Sequence, residues 1–245
     1  MKKIITLLAA LALPAAGNAL AAGQITAHAA TGDSSMQIDD VQRLSQLLTH
    51  PGLNTWWPGT VIAERGATAA VQQQRHQLLT DLRAWQGSSD AALGATIGAV
   101  IRQLNALPVT GRQFTSLDID WLRLHPEADR ALQGSYDLYT LPEPHQVLIM
   151  GALARPGAES WQPGRSVRDY LAAHERLTGG DRSVATVIAP SGEVRQVPVA
   201  YWNQRHAEVE PGSIIWLGFT SWSLPWGQAD LNTRLISVLT HRIPQ

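Results

Sequence analysis

Val147-Leu148-Ile149-Met150-Gly151 opens the stretch from His145 to Phe219 on which the fold of this 245-residue chain is read. Four apolar residues closed by glycine make a buried strand. Arg155-Pro156-Gly157 reads as a turn back into a second strand. Ser166 is a good N-cap, and Val167, Tyr170, Leu171 and His174 fall on one helical face, with Gly179-Gly180 ending the helix. Val184 to Ala189 is β-branched and apolar, so it reads as a strand. Pro190-Ser191-Gly192 turns it into Glu193-Val194-Arg195-Gln196-Val197, which alternates with period two. Pro211-Gly212 then leads into a last strand, Ile214 to Phe219. Strand, turn, strand, helix, hairpin, strand is the order of a β-grasp domain, a small mixed sheet wrapped around one helix.

Upstream, the same order is expected a second time. Gln24 to His28 and Met36 to Ile38 form a first hairpin around Gly32-Asp33. Asp40 is placed to cap a short helix carrying Val41, Leu44, Leu47 and Leu48, which stops before Pro51-Gly52. Trp56-Trp57-Pro58-Gly59 leads into Val61-Ile62-Ala63. Ala67 to Leu107 has a different texture, rich in Ala, Gln, Leu and Arg. Val71, Leu78, Leu82 and Trp85 make one helical stripe, and Leu93, Ile97, Val100, Ile101 and Leu104 make another. The spacing predicts a helical hairpin with its tip at Gly87 to Asp90, inserted at about 66–107. Strand signals resume at Val109, partly over Phe114 to Leu124 and clearly at Tyr136 to Thr140. The predicted class is α+β. It has a first β-grasp domain over residues 22–141, a second over 142–222, and a C-terminal loop and helix over 223–245. Leu231, Leu235, Val238, Leu239 and Arg242 share a face of that amphipathic helix, expected to run about four turns and to pack on the protein itself.

The first residues read as a secretory signal over 1–21. Lys2 and Lys3 give the charged start, Ile4 to Leu13 the apolar run, and Ala19-Leu20-Ala21 a small-x-small cleavage site. The run is too short to span a bilayer, so no stable membrane insertion is expected. Lys2 and Lys3 are the only lysines, so the other 17 of the 19 basic residues are arginines, against 20 acidic ones. A slightly acidic mature chain is a poor match for nucleic acid, which needs a basic surface. Without cysteine there is no thiol nucleophile or thiolate metal site. Without a mature lysine there is no Schiff base or P-loop lysine.

The remaining chemistry is sparse. Asp118 and Asp120 in Leu117-Asp118-Ile119-Asp120 place two carboxylates on one side of an extended segment, the raw material of a glycosidase. A solvated strand face explains the same alternation. The eight histidines are scattered without metal-ligand spacing, and His206, after Arg205, reads as a surface residue. Ser191 sits in a Pro-Ser-Gly turn rather than a nucleophile elbow. No catalytic residue, metal ligand or cofactor is assigned. Nine tryptophans against two phenylalanines is an unusual balance. Trp222 and Trp226, in a Ser/Pro-containing loop, are the exposed candidates for ligand contact. Thr110-Gly111-Arg112 is the sharpest small motif. Its arginine fork suits carboxylates, phosphates or sugar hydroxyls, or else pins a loop through carbonyls.

These stretches together carry a family resemblance. Trp56-Trp57-Pro58-Gly59, Thr110-Gly111-Arg112, Tyr136 to Thr140 and Gly164-Arg165-Ser166-Val167 belong to it. So do Pro198-Val199-Ala200 with Trp202-Asn203, Pro211-Gly212-Ser213 with Trp216 to Phe219, and Asp230-Leu231-Asn232. The chain resembles the capsule biosynthesis GfcC family, periplasmic proteins encoded with polysaccharide export machinery. The resemblance implies two β-grasp domains with a helical hairpin in the first, and no catalytic residues to carry over. It implies a non-enzymatic periplasmic accessory for capsule or extracellular polysaccharide assembly or export, binding the polysaccharide or an outer-membrane polysaccharide export protein. The alternative is a periplasmic glycan-processing enzyme using Asp118 and Asp120. Cell fractionation should find a processed protein starting near Ala22 in the periplasm. An unprocessed form retained in the membrane would contradict the signal-peptide reading.

Overall fold

The computed structural model describes residues 23–29, 34–203 and 205–244. The expected signal segment, residues 1–21, and the expected turn at Gly32-Asp33 lie outside these residues. Strands β1 (Gly23–Ala29) and β2 (Ser35–Val41) form an antiparallel hairpin. The short helix α1 (Leu44–Leu48) follows. Asp40 does not cap it: this residue belongs to β2 and has a φ of 63°. The first turn is closed instead by Gln46, whose Oε1 accepts the backbone N–H groups of Gln42 (2.8 Å) and Arg43 (3.2 Å). β3 (Val61–Glu64) runs straight into α2 (Arg65–Ser88), and α3 (Ala91–Ala106) returns antiparallel to it. The reversal works because Asp90 caps α3, accepting from Ala92 N (2.9 Å) and Leu93 N (3.0 Å).

The segment from Phe114 to Leu124 is not a strand. Asp118 Oδ1 accepts the N–H groups of Asp120 (2.9 Å) and Trp121 (3.1 Å), starting α4 (Ile119–Leu124). An Asp two residues before free helical N–H groups is a cap first, and local capping overrides an alternation of only four residues. β4 (Ser135–Thr140) then enters parallel to β1 and antiparallel to β3, giving the order β2-β1-β4-β3.

The second sheet repeats this path. β5 (Gln146–Gly151) and β6 (Gly157–Ser160) form a hairpin, followed by α5 (Val167–Ala172). Ser166 caps α5 as expected, and Asp169 reciprocates by accepting from Ser166 N (3.2 Å). β7 (Val184–Ile188), β8 (Val194–Pro198) and β9 (Ile214–Leu217) complete the order β6-β5-β9-β7-β8, with β5 and β9 parallel. Without β8 the order matches the first sheet strand for strand. In both sheets the last strand inserts between the opening hairpin and a later strand, parallel to the first.

Three cores follow from this layout. Ile25, Ile38, Ile62 and Leu138 of the first sheet bury against Leu44 and Leu47 of α1. Ile149, Val187, Ile215 and Leu217 bury against Val167, Tyr170 and Leu171 of α5. The opposite face of the second sheet, with Met150, Ile188, Ile214 and Trp216, is covered by three helices. Two are α2 and α3, inserted in the first half; the third is α6 (Leu231–Thr240). Burial on both faces explains why Ile214-Ile215-Trp216-Leu217 is an unbroken apolar run. α6 spans ten residues, shorter than expected, because Arg242 leaves the helix to bridge Val109.

Polar contacts fix the helices at defined points. Gln103 of α3 donates to Gly151 O (2.9 Å) and accepts from Gly151 N (2.8 Å) at the end of β5. Arg234 of α6 pairs with Asp81 of α2. At the base of α2, Arg65 donates to Asp137 of β4, which also meets His28 (2.8 Å). Burial raises the Asp137 carboxyl, but the Arg65 and His28 hydrogen bonds outweigh it and hold the group below its ordinary value. Among the described residues, no helix is long and apolar enough to cross a membrane.

Leu235→Ala tests whether α6 is core. Leu235 is fully buried, so its truncation should cost about 2–5 kcal/mol in chemical denaturation. Leu124→Ala, at a residue 78% exposed, should stay within about 0.5 kcal/mol. Equal effects would contradict the packing described here.

Candidate functional site

The two sheets meet where the Trp56-Trp57-Pro58-Gly59 turn, the Thr110-Gly111-Arg112 segment and the β7–β8 turn converge. Trp57–Gly59 forms a single 3-10 turn. The Trp56 ring folds back over Gly59, where a Cβ would lie 2.5 Å from it, so only glycine fits beneath the indole. Thr60 donates its hydroxyl to Trp56 O (2.9 Å). This arrangement sends Trp56 into the junction and leaves Trp57 and Pro58 on the wall of an open groove.

Gly111 serves the fold rather than a ligand. A Cβ there would lie 2.6–2.7 Å from backbone atoms of Glu64, at the end of β3, and of Ala67 and Thr68 in the first turn of α2. Arg112 pairs with Ala63 as an isolated bridge, is only 8% exposed, and donates Nη2–H to Pro190 O (2.6 Å) across the junction. Its guanidinium also lies 5.7 Å from the centre of the Phe114 ring. Gly192, in the β7–β8 turn, has a φ of 92°, and a Cβ would sit 2.9 Å from Phe114 and 3.2 Å from the Arg112 guanidinium carbon. On the far side, Arg242 donates to Gly212 O. Neither arginine has a carboxylate partner among the described residues. Burial, and then the charge of Arg242, lower Arg112 from the ordinary arginine value to about 10, while burial alone takes Arg242 to about 10. Both stay cationic at neutral pH, held by carbonyl dipoles.

Arg112 borders two spaces. One is a cavity of about 30 Å³ between Trp56, Pro190 and Arg242, room for about one or two waters. The other is a groove of about 390 Å³, lined by Trp57, Thr60, Arg112, Gln113, Thr115, Ser116, Asp118 and Ser191. This set combines an indole face, hydroxyls, an amide, a guanidinium and a carboxylate, at a junction between two packed units where ligand sites concentrate. Indole rings cover the C–H faces of sugars, and the polar groups suit hydroxyls.

The sequence-expected residues fall unevenly around it. Arg112 lies at its floor, with most of its surface committed to the junction. Asp118 is on the rim, with Oδ1 already capping α4. Asp120 points away, 81% exposed, and pairs with Arg123 (2.8 Å). The two carboxylates do not face a common space, so the acid–base pair is not assembled. Ser191 reaches the rim, whereas His206 is exposed and meets Glu208 (3.2 Å). No cluster of three metal-ligating side chains exists among the described residues. Trp222 and Trp226 are 93% and 102% exposed. They precede α6, whereas Arg112 neighbours Arg242 beyond its other end; the ten residues of α6 span roughly 15 Å. These three residues therefore do not form one site. Sequence reasoning missed Trp57, Thr60, Gln113 and Thr115 as groove residues. The Trp-Trp-Pro-Gly motif was visible, but nothing in it told the indole at the junction from the indole on the groove wall.

Comparison with known proteins identifies the class. Two family profiles match, "Capsule biosynthesis GfcC, N-terminal" over residues 21–143 and "Capsule biosynthesis GfcC C-terminal" over residues 155–244. The chain belongs to the capsule biosynthesis GfcC family, as its motifs indicated. Among its relatives is "Uncharacterized protein YjbG" of Escherichia coli (strain K12), 40% identical over 243 residues, covering 98% of each chain.

The junction makes a stability prediction. Arg112→Ala removes a charge-assisted bond to a buried carbonyl and should cost about 1–3 kcal/mol in urea denaturation. Gly192→Ala should cost a similar amount, about 1–3 kcal/mol, from its positive φ. Wild-type stability in both variants would mean that the contact does not hold the halves together.

Proposed function

We propose that this protein is a non-enzymatic periplasmic accessory in capsule or extracellular polysaccharide production, and that it contacts the glycan in the groove between its two sheets. The observation that carries this reading is the groove itself. Trp57 offers a stacking face, Gln113, Thr115 and Ser116 offer partners for sugar hydroxyls, and Arg112 adds a cation for acidic sugars. Membership of the capsule biosynthesis family supports the process. In this reading residues 1–21 are a cleaved signal, and residues 22–141 and 142–222 are two β-grasp domains. An outer-membrane export protein is the second candidate partner, with the exposed Trp222 and Trp226 as its contact.

Nothing in the geometry favours the glycan-processing alternative, since Asp118 caps a helix and Asp120 pairs with Arg123. Trp57→Ala should weaken binding of the host's purified extracellular polysaccharide about tenfold, within the about 1–3 kcal/mol of an aromatic stacking contact. Asp118→Asn with Asp120→Asn should leave polymer production intact, because Asn caps as well as Asp. Calorimetry and a polymer assay in the complemented deletion strain read the two outcomes. Polymer loss in the double variant with an unchanged melting curve would revive the enzyme; unchanged binding by Trp57→Ala would remove the groove from the glycan's path.

A further inference from the structure

Trp216 is completely buried, yet its indole Nε1–H has no hydrogen-bond partner among the described residues. Orphan donors at such depth are rare in folded proteins. This one borders a cavity of about 180 Å³ at the rim of the helical layer, remote from the Arg112 groove. Strand register explains why the cavity exists. Thr186 pairs with Trp216 on one side and Gln196 on the other, so the three side chains stand in a row on the same face of the sheet. The helices cover the β5–β9 part of that face, where Met150 and Trp216 share the core with α3 and α6. Beyond Asn232 and Ile236 of α6 the cover stops, and Thr186 and Gln196 remain at the open side.

The polar groups here are unspent. Thr186 hydroxyl and Gln196 amide make no hydrogen bond to a described residue, although Thr186 is only 7% exposed. Asp181 uses Oδ1 to accept from Ser183 N (2.7 Å) and Val184 N (3.1 Å), leaving Oδ2 for the cavity. Asn232 is committed, bridging the N–H and C=O of Phe219. Gly218 puts no side chain beside the indole edge: a Cβ there would stand 3.3 Å from Trp216 Nε1 and 3.1 Å from Asn232 Oδ1. Exposed aromatics lie close in the chain to residues bonded to or lining this cavity. Asn203 ties the Tyr201-Trp202 loop to Ser183, two residues from Asp181, and Trp222 follows three residues after Phe219. Tyr201, Trp202 and Trp222 are 83%, 75% and 93% exposed.

We infer that this cavity is a second carbohydrate subsite, taking one sugar unit of a polymer. A buried donor with an amide, a hydroxyl and a carboxylate oxygen is the set that a ring with adjacent hydroxyls satisfies. The volume is below the roughly 300–1,000 Å³ of sites for drug-sized ligands, so it suits a single residue of a chain. The ligand class rests on the function proposed above; the site and its donors do not.

The test follows the indole N–H signals of the nine tryptophans by ¹⁵N NMR while oligosaccharides hydrolysed from the host's extracellular polysaccharide are titrated in. Trp216→Phe assigns the Trp216 signal and removes the donor. Gly218→Ala leaves the donor but places a methyl beside it. The expected result is a shift of the Trp216 signal on titration, and binding weakened about five- to tenfold by either variant, the value of one neutral hydrogen bond. A Trp57 signal that moves while Trp216 stays fixed would overturn the subsite and leave the groove reading standing. Saturation without movement of either signal would overturn both. Wild-type affinity in Trp216→Phe, with its fold intact by circular dichroism, would also overturn the subsite.

Discussion

The two halves of the molecule are joined by the packing of the inserted hairpin onto the second sheet. α2 and α3 leave the first sheet between β3 and β4, yet their apolar stripes bury against Met150, Ile214 and Trp216 of the second. α6 completes that layer with Leu231, Leu235, Val238 and Leu239. Fully burying each such side chain contributes roughly 1.5–3 kcal/mol, so the layer welds the two halves far more firmly than the single Arg112–Pro190 hydrogen bond could. The groove and the Trp216 cavity both follow from it. One opens where the halves meet, the other where the helical layer ends.

The same packing sets what α6 does. Its apolar face is satisfied within the chain, and Arg234 to Asp81 ties its polar side to α2. An apolar stripe already covered leaves little reason to seek a membrane surface or a partner groove. Open among the described residues are the junction groove and the exposed side chains of Tyr201, Trp202, Trp222 and Trp226.

Much of the fold was legible because periodicity and capping agreed. The hairpin stripes, the Ser166 cap and the strands from Val184 onward each had pattern and punctuation pointing one way. The failures came where a short local signal competed with a pattern. Asp118 alternated with Leu117 and Ile119 but capped α4, and Asp40 stood ready to cap a helix that Gln46 closed instead. The site was harder to read because its residues come from three distant segments. Arg112 stood out by residue type, but its burial depends on a turn almost eighty positions away, and Gly111 is small for the sake of α2 rather than for a ligand. The orphan donor of Trp216 has no sequence signature, since it arises from where the helical cover happens to stop.

The proposed role is to hold glycan without cleaving it. Hydrogen exchange with and without the host's purified extracellular polysaccharide, with polymer length measured on the same samples, separates holding from cleavage. Added protection is expected in segments 57–60, 112–118 and 190–192, with polymer of unchanged length. Shortened polymer, or a groove whose exchange is unaffected at saturating glycan, would overturn that role.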